Sequence, residues 1–375
     1  MSKSLNLDVL KRGMDEAGLN PARLAKNLDV SREAVSKWLN GESIPRPDKL
    51  LKLALLLGLK FDQLISRPDD AREPVVAFRK HGAHKTTAQH IDRAKEMGRL
   101  LRPLAQYLPF DELIRPATLK QPSCEYSYIQ KVAAKIRQEI GVAQSDRLDF
   151  HHLIKKFREL QAVLIPVLWG KKDRHENALH IYLPDSLTTW VYLNLDSEVH
   201  DFKFWMAHEL GHIHAPSLRG DEAEDLADTF AAALLFPETL AAQAYQVLAA
   251  TGNKGTQMNR VKEIAETHVI SPITVYFEVN KYAKQHGLRE LTLGNAIFGA
   301  AKNLSKVYFT VSESLFDGVK PEPARYLEMV EQQFDSPFFS ALKQYLGQNA
   351  KGAGYIHSVL DTSLLDAKTL HAALI

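Results

Sequence analysis

The sequence predicts a multi-domain protein: an all-α N-terminal unit of short helices, a mostly helical α+β domain, and a mainly helical C-terminal region. Three observations carry this expectation. Residues 5–65 show helical apolar spacing broken into short runs at Gly18, Pro21 and Asp29-Val30. Two apolar runs with strand character, Ala162–Val167 and residues 190–195, stand among helix-period segments. Beyond Gly287 the pattern is again chiefly helical. A chain of 375 residues with 45% hydrophobic residues is long enough for two or three buried cores. A formal net charge of +2 excludes a polycation, so any nucleic-acid contact must come from a local patch. Cys124 is the single cysteine, which excludes an intrachain disulfide and a cysteine-rich metal site and suits a reducing cytosol. The N-terminus lacks the apolar core of a signal peptide, and the longest apolar run near it, residues 53–57, is too short to cross a bilayer. The expectation is a soluble, cytoplasmic protein with no membrane contact.

In the N-terminal unit, Leu7, Leu10 and Met14 have helical spacing and Gly18 ends that segment. Pro21 opens a second helix through Ala25 to Asn27, because proline suits a first turn. Asp29-Val30 makes the turn, Ser31 caps a third helix running to Leu39, and Asn40-Gly41 supplies the stop. Two helices of about two turns joined by a short turn form a helix-turn-helix. The stretch reads A-x-x-L-D-V-S-R-E-A-V-S-K-W-L-N-G-E-S-I-P-R-P, followed by L-x-K-L-A-L-L-L-G. Over about sixty residues it resembles the Cro/CI-type (XRE) helix-turn-helix family, in which the third helix enters the major groove. The resemblance implies that Ser31, Arg32, Glu33, Ser36 and Lys37 face a double-stranded DNA operator. Arg32 suits guanine, Glu33 cytosine, and Lys37 guanine or phosphate. Leu24, Ala25, Val30, Val35 and Trp38 take the packing face. One such module binds weakly, so a homodimer on a two-fold site is expected. The unit is taken as residues 1–68.

Residues 67–74, RPDDAREP, mark a boundary, and residues 69–125 read as a connector with one helix. His81, His84 and His90 lie in a lysine-rich stretch with no carboxylate at ligand spacing, which favours a solvated loop over a metal site. Thr86 or Thr87 caps a helix through Ile91, Ala94, Met97, Leu101 and Leu104, which Pro103 should kink or shorten.

Next come a helix ending at Gly141 and a helix over residues 151–160. The two apolar strands follow, separated by a loop containing Pro184-Asp185. The chain then enters Phe204-Trp205-Met206-Ala207-His208-Glu209-Leu210-Gly211-His212, closed by Pro216. On a helix His208 and His212 lie one turn apart on one face, within reach of one ion, with Glu209 about 100° round from His208. This H-E-x-x-H arrangement is the working geometry of zinc hydrolases. Gly211 costs about 1 kcal/mol relative to alanine, which points to a close approach by another element. Ala215 and Leu218 stand where a metzincin would carry a glycine and a third histidine, and His214 falls on the wrong face. A helix from Asp221 to Phe236 places Glu224 and Asp228 on one face beside the small Ala227 and Ala231. Glu224 is the favoured third ligand, with Asp221, Glu222 and Asp225 as rivals. Asp228 would accept from the distal N–H of a ligand histidine.

The combination A-H-E-L-G-H and E-D-L-A-D-T-F-A-A-A-L-L-F-P resembles the ImmA/IrrE family of zinc metallopeptidase domains over about residues 126–287. The resemblance implies a zincin-like fold and zinc held by His208, His212 and Glu224, with Glu209 as general base. It also implies a helix-turn-helix repressor as substrate. An oxyanion donor is needed as well, and Tyr192, His180, His268 and Tyr276 are all candidates. Residues 288–375 carry no recognisable motif. A strand is expected over residues 306–311, a turn at Asp317-Gly318, and helices from Pro323 to Gln333 and from Phe338 to Leu346. Phe334, Phe338, Phe339 and Tyr345 read as core. The expected function is a DNA-binding regulator with a zinc endopeptidase that cuts a repressor, itself or a relative. The alternative is a non-proteolytic transcription factor or antitoxin-like protein that uses the zincin fold as a sensor or interaction module.

Overall fold

The computed structural model describes residues 4–40, 43–59, 64–66, 73–77, 88–110, 118–170 and 178–375. The chain divides into two compact units, Met1–Glu73 and Pro74–Ile375.

In the first unit α1 (Leu7–Glu16), α2 (Pro21–Leu28), α3 (Arg32–Leu39) and α4 (Pro47–Leu56) surround one apolar core. Leu10, Leu24, Val35 and Leu53 are fully enclosed there. Asn6, Asn20 and Ser31 each accept a hydrogen bond from the first turn of α1, α2 and α3 respectively, satisfying donors that a helix start leaves free. Asp29 adopts the left-handed conformation that turns α2 into α3, with φ 52°. Lys49 on α4 donates to the Leu28 carbonyl at 2.8 Å, fastening the end of α2. One feature is not apparent in the sequence: β1 (Ser4–Leu5) pairs antiparallel with β2 (Ile65–Ser66), so the two ends of the unit are clasped together. Gly41 lies outside the described residues, as do His81, His84, Thr86 and Thr87.

The second unit is built on a four-stranded sheet of order β3-β5-β6-β4. Its strands are β3 (Val75–Ala77), β4 (Ala162–Val167), β5 (Ala178–Leu183) and β6 (Thr188–Asn194). β4 runs parallel to β6, with Ala162 opposite Thr189 and Val167 opposite Asn194. β5 is antiparallel to β6, and β3 antiparallel to β5. Pro166 cannot donate to a ladder, and its strand accordingly sits at the sheet's end. The outer side of β4 is sealed by hydroxyls: Tyr326 donates to the Pro166 carbonyl at 2.5 Å, and Ser336 to the Leu164 carbonyl.

Helices cover the sheet. α5 (Ala88–Leu101) passes into a 3₁₀ turn over Arg102–Tyr107, the shortening that Pro103 imposes. α6 (Tyr126–Ile140) ends on Gly141 at φ 85°, and α7 (Phe150–Glu159) leads into β4. Next come α8 (Val199–His214), α9 (Gly220–Leu235), α10 (Glu238–Ala249), α11 (Lys254–His268) and α12 (Pro272–Gln285). The C-terminal region adds α13 (Ala296–Ser305), α14 (Val311–Phe316), α15 (Pro323–Phe334) and α16 (Phe338–Gln348). It closes with α17 (Ala353–Leu360) and α18 (Leu364–Leu374). One apolar core runs from Ala94 to Leu374 and includes Phe334, Phe338, Phe339 and Tyr345. Arg137 is fully buried and donates to the carbonyls of Leu234, Ala143 and Asp146, pinning α6 to the end of α9.

Two expectations about strands need correcting. Residues 306–311 do not form a strand. Thr310 makes a single bridge to Glu198 and then caps α14 through a capping box with Glu313, so Val311 is helical. β5 replaces part of what reads as loop, and it brings His180 to the site described next.

Candidate metal centre and helix-turn-helix face

α8 and α9 cross at their small residues. A Cβ on Gly211 would stand 2.8 Å from the Ala227 Cα and 3.2 Å from its Cβ, so only glycine allows this approach. The close approach expected from the sequence is thus made by Ala227, and it sets the Glu224/Asp228 face of α9 against the His208/His212 face of α8.

The side chains meet as follows. His208 Nδ1 lies 2.9 Å from Asp228 Oδ1. That contact takes the Nδ1 N–H and turns Nε2 away from Asp228, toward His212 and Glu224. His208 Nε2 is 3.0 Å from His212 Nε2 and 3.4 Å from Glu224 Oε2, and His212 Nε2 is 3.5 Å from Glu224 Oε1. Among the described residues His208, His212 and Glu224 form the group able to hold a metal ion. A tetrahedral ion with bonds of about 2.0–2.1 Å sets its ligand atoms about 3.3 Å apart, and the two histidine nitrogens, and each of them with one Glu224 oxygen, stand near that separation. Both histidines are buried and the Glu224 side chain is only 12% exposed. Asp221, Glu222 and Asp225 stand outside the group.

The electrostatics favour a positive charge here. Burial opposes charge on His208. Its hydrogen bonds to Asp228 and Glu224, with Glu209 nearby, outweigh that and raise its pKa to about 9. Burial and the charge on His208 hold His212 well below its ordinary value, so the pair carries one positive charge, on His208.

Glu209 is buried beside the metal group, and its Oε2 lies 3.6 Å from His180 Nδ1. Burial, reinforced by His208 and Arg219, depresses the pKa of His180 to about 3, so its ring is neutral. The four candidate oxyanion donors are now separated by position. Tyr192 donates to the Val359 carbonyl and Tyr276 to the Leu291 carbonyl, while His268 packs edge-on to Phe236. His180 alone of the four lines the cavity of about 210 Å³ that His212 and Glu224 open into. The Leu179, Ile181, Leu183 alternation was the signal for its strand, obscured by the short length of the run. A larger cavity, about 470 Å³, lies elsewhere, lined by Val167, Trp169, Asp196, Tyr326 and Leu370.

In the first unit Ser31, Arg32, Glu33, Ser36 and Lys37 are all exposed on α3, while Leu24, Ala25, Val35 and Trp38 are buried and Val30 is half-buried. The Ser31 hydroxyl is engaged as the helix cap, accepting from Ala34 N at 3.1 Å. Lys37 and Glu33 form an exposed ion pair at 3.1 Å, and such a pair contributes little. His90 is exposed on α5. Among the described residues no helix is long and apolar enough to cross a membrane.

Comparison with known proteins adds three findings. A helix-turn-helix family model matches residues 10–64, and a model of the IrrE N-terminal-like domain matches residues 164–280. The chain is 48% identical over 60 residues to the 26 kDa repressor protein of Escherichia phage HK022; the match covers 15% of this chain and 26% of that repressor, so the chain spans about a quarter of its relative. No solved structure matches. The chain therefore joins an XRE-type helix-turn-helix domain to an IrrE N-terminal-like domain in one polypeptide.

Proposed function

We propose that this protein is a DNA-binding transcriptional regulator whose second unit is a zinc-dependent endopeptidase acting on a helix-turn-helix repressor. The observation that carries the peptidase reading is the donor triangle of His208, His212 and Glu224 with Glu209 beside it. Zinc, when bound, supplies the Lewis acidity that polarises a peptide carbonyl and acidifies a water. The protein's own groups then have separate tasks. Asp228 holds His208 in the tautomer that offers Nε2. Glu209 takes a proton from the attacking water at its carboxylate and passes it to the departing amine. Neutral His180 on β5, beside the cavity, would offer its one N–H to the charge that develops on the carbonyl oxygen. Burial of the group excludes bulk water and strengthens each of these interactions.

The DNA-binding reading is supported by the exposed row on α3 and by the likeness to a phage repressor. Arg32, Glu33, Ser36 and Lys37 would read an operator, with two copies on a two-fold site. Ser31 contributes by setting the start of the reading helix. The deciding experiment incubates zinc-loaded protein with candidate helix-turn-helix repressors and follows intact mass. A defined cut by the wild type that Glu209→Gln loses while retaining zinc is expected. Protein that carries no stoichiometric metal and takes none up on titration would rule the peptidase reading out. Unchanged gene regulation in the Glu209→Gln variant would instead favour a non-proteolytic regulator.

A further inference from the structure

His180 belongs to β5, and β5 is the strand that borders the metal group. A peptide presenting a backbone carbonyl to that group must lie extended beside it. The natural support for an extended chain is the hydrogen-bonding edge of a neighbouring strand. One edge of β5 is taken by β6. The other is taken by β3: Val75 stands opposite Tyr182, Val76 opposite Ile181 and Ala77 opposite His180. β3 therefore runs antiparallel to β5 and advances toward His180, the strand residue closest to the metal group. Val75, Val76 and Ala77 line the same cavity as His180, His212 and Glu224. A peptide added outside β3 would lie one strand further away, about 4.8 Å more distant from β5.

We propose that the outer edge of β5 is the peptide-binding edge of the metal site and that this chain's own β3 is its resident occupant. The proposal rests on the peptidase reading and adds what fills the site. The occupant is the segment with which the second unit begins, at Pro74. Its hold is specific at one end. Pro74 is buried against α5, where a Cβ on Gly98 would stand 2.5 Å from the Pro74 Cβ and 3.0 Å from Ile181 Cγ2. Glycine at position 98 is thus what gives Pro74 its seat. Beyond Pro74, β3 has three residues, all half-buried, which pair with β5 and pack against α9. A strand of three residues offers few pairings for an external peptide to outcompete, and such a peptide gains the metal group when β3 leaves.

Gly98→Ala tests this from outside both the strand and the metal group, because the added methyl occupies the space of Pro74. The full-length, zinc-loaded protein is titrated with a short apolar peptide hydroxamate by fluorescence polarisation. The same samples, with and without zinc, are followed by amide exchange over Ala178–Leu183. The expected result is faster exchange in β5 and hydroxamate affinity raised by about tenfold or more, the gain from freeing a site that is open only a tenth of the time. Faster exchange with unchanged affinity would overturn the proposal. Should Gly98→Ala fail to fold, a Val75→Cys, Tyr182→Cys pair in a Cys124→Ser background gives a reversible lock. Hydroxamate binding should fall when the pair is oxidised and return on reduction, and equal binding in both states would overturn the proposal. A protein without zinc would defeat the peptidase reading separately, since amide exchange reports the β3–β5 pairing without metal.

Discussion

Gly211 and Ala227 touch across the contact of α8 and α9, with the missing Cβ of residue 211 only 2.8 Å from the Ala227 Cα. Two helices forced to this distance bring an imidazole pair and a carboxylate within ligand distance of one another. The separation is set by backbone, which cannot yield as a flexible side chain would. Gly211→Ala should therefore push α9 away, destabilising the metal-free protein by about 1–3 kcal/mol through overpacking. Zinc affinity should fall with it. Thermal unfolding and chelator competition measure the two effects, and a variant with wild-type zinc affinity would contradict this account of the crossing.

Asp228 touches no metal donor atom on the opposite imidazole edge, yet it fixes which nitrogen His208 offers. Asp228→Asn should lower zinc affinity by about 10–100-fold while leaving the fold intact. Competition against a chromophoric chelator reads this directly, with circular dichroism as the control for folding.

The His208–His212 pair makes metal uptake depend on pH in a predictable direction. His208 is raised from 6.5 to about 9, so between those values the folded metal-free protein holds a proton that the unfolded chain has released. Its contribution to stability is complete below pH 6.5 and is lost as pH rises through 9. Zinc must displace that proton, so affinity should climb by about tenfold per pH unit across the window. Titrations at several pH values check the slope, and a flat profile would show that the pair is not protonated.

Arg137 is held by three carbonyls in the core, and burial lowers its pKa only to about 10, so it stays charged at neutral pH. Arg137→Met should leave those carbonyls bare and cost about 3 kcal/mol or more. Denaturant unfolding is the measurement. A loss below about 1 kcal/mol would mean that water replaces the guanidinium.

On α3, Arg32→Ala should cost about 1–3 kcal/mol on the preferred operator and relax its sequence preference. Lys37→Ala should weaken all DNA alike and reduce the salt slope by about one if Lys37 meets phosphate. Binding isotherms at several salt concentrations separate the two. Equal, sequence-independent losses would remove Arg32 from the reading residues.

The helix-borne parts of the site were legible because helical spacing alone decides which side chains share a face. His208, His212, Glu224 and Asp228 are each one turn from a partner, and Gly211 announced a close neighbour. Strand pairings depend on residues distant in sequence and leave a fainter trace. β1 with β2, and β3, have two or three residues each, too few for an alternation to register. Residues 306–311 show the opposite error: Tyr308, Phe309 and Val311 favour a strand, but Thr310 and Glu313 close a capping box that no apolar pattern records. The choice of His180 among four candidate donors also required the fold, since only the sheet places it above Glu209.

The hydroxyls of Tyr326 and Ser336 on the outer side of β4 carry a consequence for shortening the chain. They occupy carbonyls that would otherwise solicit a strand from another molecule. A protein cut back to residue 287 would lose α15 and α16 and expose that flank together with the apolar surface of β4 they cover, and its fate in solution would be self-association. On this account the C-terminal eighty-odd residues would guard the sheet against fibre-like stacking.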